Sequence, residues 1–147
     1  FGMAALVLVV VVDVFGLATV ASYADRFTTL VVVALAASTG RLAAVWAGRS
    51  PAARPDGFGA LVAGSVSLRA AVGLTVLLAA ATAALGAMLG NVGWLLGSAA
   101  AGLAVAAVVQ RHAVRRLGGT TGDVFGGLVE IATSTTLVVA AIGLSWG

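Results

Sequence analysis

The sequence predicts an all-α, polytopic membrane protein of about five transmembrane helices with two cytoplasmic loops. Three observations carry that prediction. Hydrophobic residues make up 61% of the 147 and charged residues only 9%, with a mean hydropathy of +1.16, whereas a soluble domain carries about a quarter charged residues to build its wet surface. Five stretches reach the roughly 20 mostly apolar residues that cross a bilayer. Trp46, Trp94 and Trp146 each fall at the end of one of those stretches, the level that interfacial Trp prefers. This composition argues against a soluble enzyme, a disordered segment and a nucleic-acid-binding domain. The expected surroundings are the lipid bilayer, with no nucleic-acid partner. With no Cys there is neither a disulfide framework nor a thiolate metal site. A chain that opens on Phe1 reads as a fragment or a processed product.

The first stretch, Gly2–Ala21, has no basic leader and carries Asp13 near its middle, so it reads as a span rather than a signal peptide. A short turn, Tyr23-Ala24-Asp25-Arg26, leads into Phe27–Ala47. A long connection follows, from Gly48 to Arg69. Within it Phe58–Leu68, which Asp56 can cap, reads either as an interfacial segment or as an extension of the next span. Ala70–Leu89 and Val92–Gln110 are joined only by Gly90-Asn91 and should form a hairpin. A second long connection, Arg111 to Asp123, precedes the last span, Val124–Trp146. Strands of a membrane barrel would instead show short alternating segments. Gly86/Gly90 and Ser98/Gly102 are small residues spaced by four, which lets helices approach closely. The two long connections lie on one face and hold Arg49, Arg54, Arg69, Arg111, Arg115 and Arg116, against Arg26 alone on the other. The positive-inside rule places both long loops and the amino end in the cytoplasm.

Polar chemistry concentrates in those loops. Arg49-Ser50-Pro51-Ala52-Ala53-Arg54-Pro55-Asp56-Gly57-Phe58-Gly59 is stiff, basic and glycine-containing, which suits a phosphate ligand or, more plainly, a topogenic turn. Arg111-His112-Ala113-Val114-Arg115-Arg116-Leu117-Gly118-Gly119-Thr120-Thr121-Gly122-Asp123 offers arginines that can clamp phosphate oxygens, a Gly/Thr turn, and exposed amides at a helix start. Asp123 can hold a divalent cation that in turn holds phosphate. The structural alternative is a capped helix behind a basic loop. Three ionisable groups fall within spans, where such groups are costly and functional by default. Glu130 lies seven residues after Asp123, roughly 10 Å deeper on the same helix face. Arg41 reaches a similar depth, so the two are expected to pair unless Arg41 snorkels to the interface. Asp13 has no charged group at its depth, with Ser38 and Thr39 as candidate partners. His112 alone cannot build a zinc site.

At these loops the chain resembles a known family. Arg54-Pro55-Asp56-Gly57-Phe58-Gly59 looks like the central cytoplasmic loop of cobalamin synthase, also called adenosylcobinamide-GDP ribazoletransferase, and Arg116-Leu117-Gly118-Gly119-Thr120-Thr121-Gly122-Asp123-Val124-Phe125-Gly126, followed by Glu130, looks like its carboxyl-terminal signature. The resemblance implies a multi-pass enzyme of the bacterial cytoplasmic (inner) membrane. Such an enzyme joins α-ribazole, or its 5′-phosphate, to adenosylcobinamide-GDP with release of GMP, and uses magnesium. On that resemblance Asp123 and Glu130 are the candidate catalytic and metal residues. Arg41, Arg54, Asp56, Gly57, Arg115, Arg116, Gly118, Gly119, Thr121 and Gly122 are the candidate substrate-binding residues. The family's Asp-rich, His-containing amino-terminal motif is absent here. The chain is therefore expected to be one integral-membrane helical domain over residues 1–147, corresponding to the carboxyl-terminal part of such an enzyme and inactive alone. Its expected protein partners are the amino-terminal part or a second copy. The competing reading is a small transport subunit that uses Asp13, Arg41 and Glu130 as an intramembrane relay, or a purely structural subunit.

Overall fold

The computed structural model describes residues 2–53 and 58–145, and within them the elements are six helices: α1 (Gly2–Tyr23), α2 (Arg26–Ala47), α3 (Phe58–Val62), α4 (Leu68–Met88), α5 (Val92–Leu117) and α6 (Gly122–Ser145). By length and apolarity α2, α4, α5 and α6 can each cross a bilayer, and α1 contributes a shorter apolar stretch, Val7–Tyr23. Large apolar side chains point outward along these helices, such as Phe15 (69% exposed), Leu30 (68%) and Leu77 (65%). A surface of that kind belongs against lipid, since water-facing surfaces rarely carry large apolar patches. The protein is a multi-pass membrane protein.

Side-chain caps set the helix starts. The Asp25 carboxylate accepts from the Thr28 amide at 2.9 Å and from its hydroxyl at 3.0 Å. These bonds, the amide first, hold the Asp25 carboxyl below its ordinary value. Ser67 caps α4 through the Ala70 amide, and Asn91 caps α5 through the Trp94 amide. Gly90, at φ +74°, makes the tight turn of the α4–α5 hairpin, and Gly118, at φ +76°, ends α5 in the left-handed conformation.

One boundary differs from the sequence expectation, and one open alternative is resolved. Helix α5 runs to Leu117, seven residues past the expected end at Gln110. The polar run Gln110-Arg111-His112 ends the apolar span but not the helix, because Arg, Ala and Leu are good helix formers and nothing before Gly118 breaks the turn. Arg111, Arg115 and Arg116 therefore sit on helix rather than loop. In addition, Phe58–Leu68 is not an extension of the next span. The short α3 ends at Val62, Gly64 turns at φ +72°, and Ser67 starts α4 afresh.

Helix α6 is the axis of the bundle and packs on α5, α2 and α1, while α4 lies against α5. One apolar cluster, including Val32, Leu35, Leu95 and Leu137, fills one end. A second, including Ala47, Phe125 and Leu128, fills the arginine-bearing end. Between them small residues set the helix spacing. A Cβ at Gly102 would meet the Thr136 hydroxyl, the Ala132 carbonyl at 2.7 Å and Thr39 at 3.2 Å. One at Gly40 would meet Thr133 and the Val129 carbonyl at 2.8 Å. The buried Thr39 and Thr136 hydroxyls are satisfied by carbonyls four residues back, each at 2.8 Å. Ser98 and Gly102 thus act as the helix-contact pair that their spacing predicts. Gly86 and Gly90 do not: Gly86 seats the hairpin turn against Val92, and Gly90 forms the turn. Gly102→Ala is expected to destabilise the bundle by about 1–3 kcal/mol through overpacking, whereas Gly97→Ala, which faces open space, should be neutral or better. Thermal unfolding in detergent reads the difference, and equal midpoints would refute this packing role.

Trp46 and Trp94 lie at helix ends as expected and also tie helices together. The Trp46 indole donates to Thr75 Oγ1 on α4 at 3.0 Å, and the Trp94 indole to the Ala140 carbonyl on α6 at 3.0 Å. Trp146 lies outside the described residues.

Candidate functional site

The arginine-bearing end is organised by a backbone seam between the two connections. Thr120 N–H donates to the Pro51 carbonyl at 2.8 Å, and Ala53 N–H donates to the Thr120 carbonyl at 3.2 Å, giving an isolated parallel bridge between Ala52 and Thr120. The chains come this close because residue 119 is Gly: a Cβ there would collide with Pro51, Ala52 and Ala53 backbone atoms. Gly59 makes the same allowance from α3, facing the Thr120 carbonyl. Gly64 N–H closes the first connection onto the Gly48 carbonyl at 2.8 Å. Thr120 is buried, and its hydroxyl has no hydrogen-bond partner among the described residues.

This seam fixes the start of α6. Thr121 Oγ1 accepts from the Val124 amide at 3.3 Å and caps the helix. Capping by Thr121 leaves the Asp123 carboxylate exposed in the first turn, where the helix dipole favours negative charge. Glu130 is exposed two turns further along. Among the described residues no three His, Asp or Glu side chains gather into a group that could hold a metal ion.

Beside the seam a cleft of about 670 Å³ opens between α2, α4 and α5. Its floor is apolar, with Ala43, Leu103 and Ala106, and its mouth carries Arg49, Arg111 and Arg115. Gln110 Nε2 donates to Ser50 Oγ at 2.7 Å and holds α5 to the first connection. Arg49 lies over the Trp46 ring, 5.8 Å from its centroid.

The sequence-predicted residues are distributed as follows. Arg115 lines the cleft together with Arg111, one turn before it on the same face. Arg116, adjacent in sequence, is exposed on the neighbouring face. Gly118 terminates α5, Gly119 is taken up by the seam, Thr121 is the cap, and Gly122 opens α6. Arg54, Asp56 and Gly57 lie outside the described residues. Arg41 and Glu130 share a depth, because Gly40 meets Val129 across the α2–α6 contact. Arg41 is nevertheless exposed, and the bond it makes runs along its own helix, Nη1 to the Ala37 carbonyl at 3.0 Å, rather than to Glu130. Ser38 and Thr39 do not serve Asp13: its Oδ1 is buried without a partner among the described residues, while Thr39 bonds within α2. The residues missed from sequence are Ser50, Thr75 and Gln110. All three are neutral, and only their meeting in the cleft marks them.

A family model described as cobalamin-5-phosphate synthase matches residues 1–141. The chain is 43% identical, over 97% of its length, to the adenosylcobinamide-GDP ribazoletransferase of Frankia casuarinae (strain DSM 45818 / CECT 9043 / HFP020203 / CcI3), covering 53% of that protein. It is 44% identical, over 63% of its length, to the adenosylcobinamide-GDP ribazoletransferase of Nocardioides sp. (strain ATCC BAA-499 / JS614), covering 32% of it. The chain thus spans about half the length, or less, of these curated relatives. No solved structure matches it.

Proposed function

Because the chain belongs to the cobalamin-5-phosphate synthase family, we propose that it forms part of a membrane transferase that joins α-ribazole, or its 5′-phosphate, to adenosylcobinamide-GDP with release of GMP. The observation that carries this reading is the family match across residues 1–141, which takes in both connections of the seam. In such a transfer an alcohol oxygen of the ribazole bonds to the phosphorus that stays with cobinamide, the bond from that phosphorus to GMP breaks, and the alcohol proton leaves to a base. Catalysis of this kind rests on positioning and charge neutralisation. The seam supplies positioning, since it locks the start of α6 against the end of α2. Arg111 and Arg115 supply positive charge for phosphate oxygens.

Asp123 and Glu130 would each offer a carboxylate to magnesium, but they stand two turns, about 10 Å, apart on α6, so the remaining donors must come from outside the described residues. Their hard oxygen chemistry fits that ion, which takes one or two carboxylates and completes its shell with water and substrate phosphates. When bound, the ion offsets charge on the phosphate oxygens. A relay along Asp13, Arg41 and Glu130 is less well supported, because Arg41 and Glu130 are exposed and Arg41 bonds to the Ala37 carbonyl of its own helix.

The test is GMP release from adenosylcobinamide-GDP and α-ribazole with magnesium, in membranes carrying this chain with and without the remaining half of a curated relative. Release in either preparation supports the reading. No release in both, with correctly inserted protein, defeats it. The same reading puts the seam on the cytoplasmic side of a bacterial inner membrane, a placement that the arginine distribution supports. The protein has no cysteine, so Ala53→Cys gives a single label site. An impermeant thiol reagent should reach it in inverted vesicles and not in intact cells, and the opposite pattern would invert the topology.

A further inference from the structure

We propose that the end of the bundle opposite the arginines holds one phospholipid with a primary-ammonium headgroup, seated in a pocket beside Asp25 with an acyl chain running down the groove between α2 and α4. The pocket, of about 330 Å³, opens where the ends of α1, α2, α4, α5 and α6 meet. Its chemistry selects a cation. Asp25 is the one charged residue in its lining. The Thr28 amide donates to Oδ1 and the Thr28 hydroxyl to Oδ2, which fixes the carboxylate and favours its ionised form. A carboxylate offers about four lone-pair sites, so each oxygen keeps one for an N–H donor. The rings of Tyr23 and Trp94 line the same pocket, and aromatic faces attract an ammonium. The Trp94 ring is held in place: its indole donates to the Ala140 carbonyl at 3.0 Å, and it occupies the space where a Cβ of residue 143 would stand.

A phosphate finds its own partners next to the ammonium. Arg26 follows Asp25 and is exposed at the start of α2. Asn91 accepts from the Trp94 amide through Oδ1, which leaves Nδ2 as a donor. Among the described residues Asp25 and Arg26 are the charged ones at this end, so one anion stands beside one cation. That pattern matches a zwitterionic headgroup rather than an anionic one. Below the pocket the walls turn apolar along the same helix faces. On α2 the series from Thr28 continues through Val31 and Leu35 to Ser38, and on α4 that from Leu89 continues through Leu85 to Leu78. These residues line a groove whose lip carries the exposed Ala34 and Ala81. From Thr28 to Ser38 the groove covers about 15 Å at 1.5 Å per residue, half of a hydrocarbon core of roughly 30 Å and so the reach of one acyl chain in one leaflet.

The site does not depend on the transferase reading. In the test, the full chain in detergent is mixed with equal amounts of dioleoyl phosphatidylethanolamine, phosphatidylcholine and phosphatidylglycerol, and native mass spectrometry measures the lipid retained. Phosphatidylethanolamine should be retained at least about fivefold over either competitor, because choline has no N–H for the carboxylate and the glycerol headgroup has no cation. Asp25→Asn should erase that preference. Asn caps helices as well as Asp does, so the thermal midpoint should hardly move. Ala81→Phe should fill the groove and lower retention of all three lipids without changing their order, while Val76→Phe, exposed on α4 outside the groove, should not. N-methylated phosphatidylethanolamines test the same bond in the unaltered protein: retention should fall as each N–H is replaced. Equal retention of the three lipids would mean an annular lipid shell only and would overturn the site. So would a preference that survives Asp25→Asn, a flat methylation series, or unchanged retention in Ala81→Phe.

Discussion

Asp123→Asn is expected to lower GMP release by about 10²–10³-fold, the scale on which loss of one group stabilising charge at a reacting phosphate is felt. The amide keeps the size of the carboxylate but loses its charge, and with it the proposed hold on magnesium. Structure should survive the change. Asp123 is exposed, and the cap of α6 belongs to Thr121 through the Val124 amide, so the thermal midpoint should stay within the small range typical of surface substitutions. A magnesium titration separates charge loss from disorder, because the variant should need a higher concentration for its residual activity. Full activity at the parent's magnesium requirement would end the metal role of Asp123.

Gly119→Val is expected to cost about 2–4 kcal/mol, the sum of two lost backbone hydrogen bonds and the strain of forced separation. The side chain has nowhere to go. Residue 119 faces the backbone of Pro51, Ala52 and Ala53, and backbone cannot rotate away as a flexible side chain can. Separation breaks the Thr120-to-Pro51 and Ala53-to-Thr120 bonds together. The amides of Ala53 and Thr120 should then exchange hydrogen faster while those in the middle of α6 keep their protection. Gly126→Ala, on an open face of α6, is the control and should be neutral or slightly stabilising. Unchanged protection at Ala53 and Thr120 in the valine variant would show that the seam does not depend on this glycine.

The fold was legible where the signal is a mean over many residues. Twenty apolar residues in a row state their environment, and Trp46, Trp94 and the turn at Gly90-Asn91 mark their ends. The end of α5 was not legible, because hydropathy reports where lipid stops and α5 continues beyond it on helix propensity alone. That overrun decides which arginines line the cleft together: Arg111 with Arg115, one turn apart. The seam was half legible. Its glycines and threonines drew attention as a flexible phosphate turn, yet the bonds that use them are backbone to backbone and leave no mark on side-chain identity. The shared depth of Arg41 and Glu130 followed from counting residues, but depth does not fix azimuth, and both groups turn outward.

The seam also sets an order of assembly. Its two sides, around Ala52 and Thr120, leave the ribosome at different times, with the whole α4–α5 hairpin synthesised between them. Pro51–Ala53 must wait without its partner until α5 has crossed the bilayer and delivered Gly119 and Thr120 to the same face. The closing of the arginine-bearing end is thus a late event in biogenesis, conditional on correct insertion of the hairpin. A chain whose hairpin is misthreaded brings Thr120 to the wrong side and leaves the Pro51 carbonyl and the Ala53 amide without the partners they have in the folded bundle.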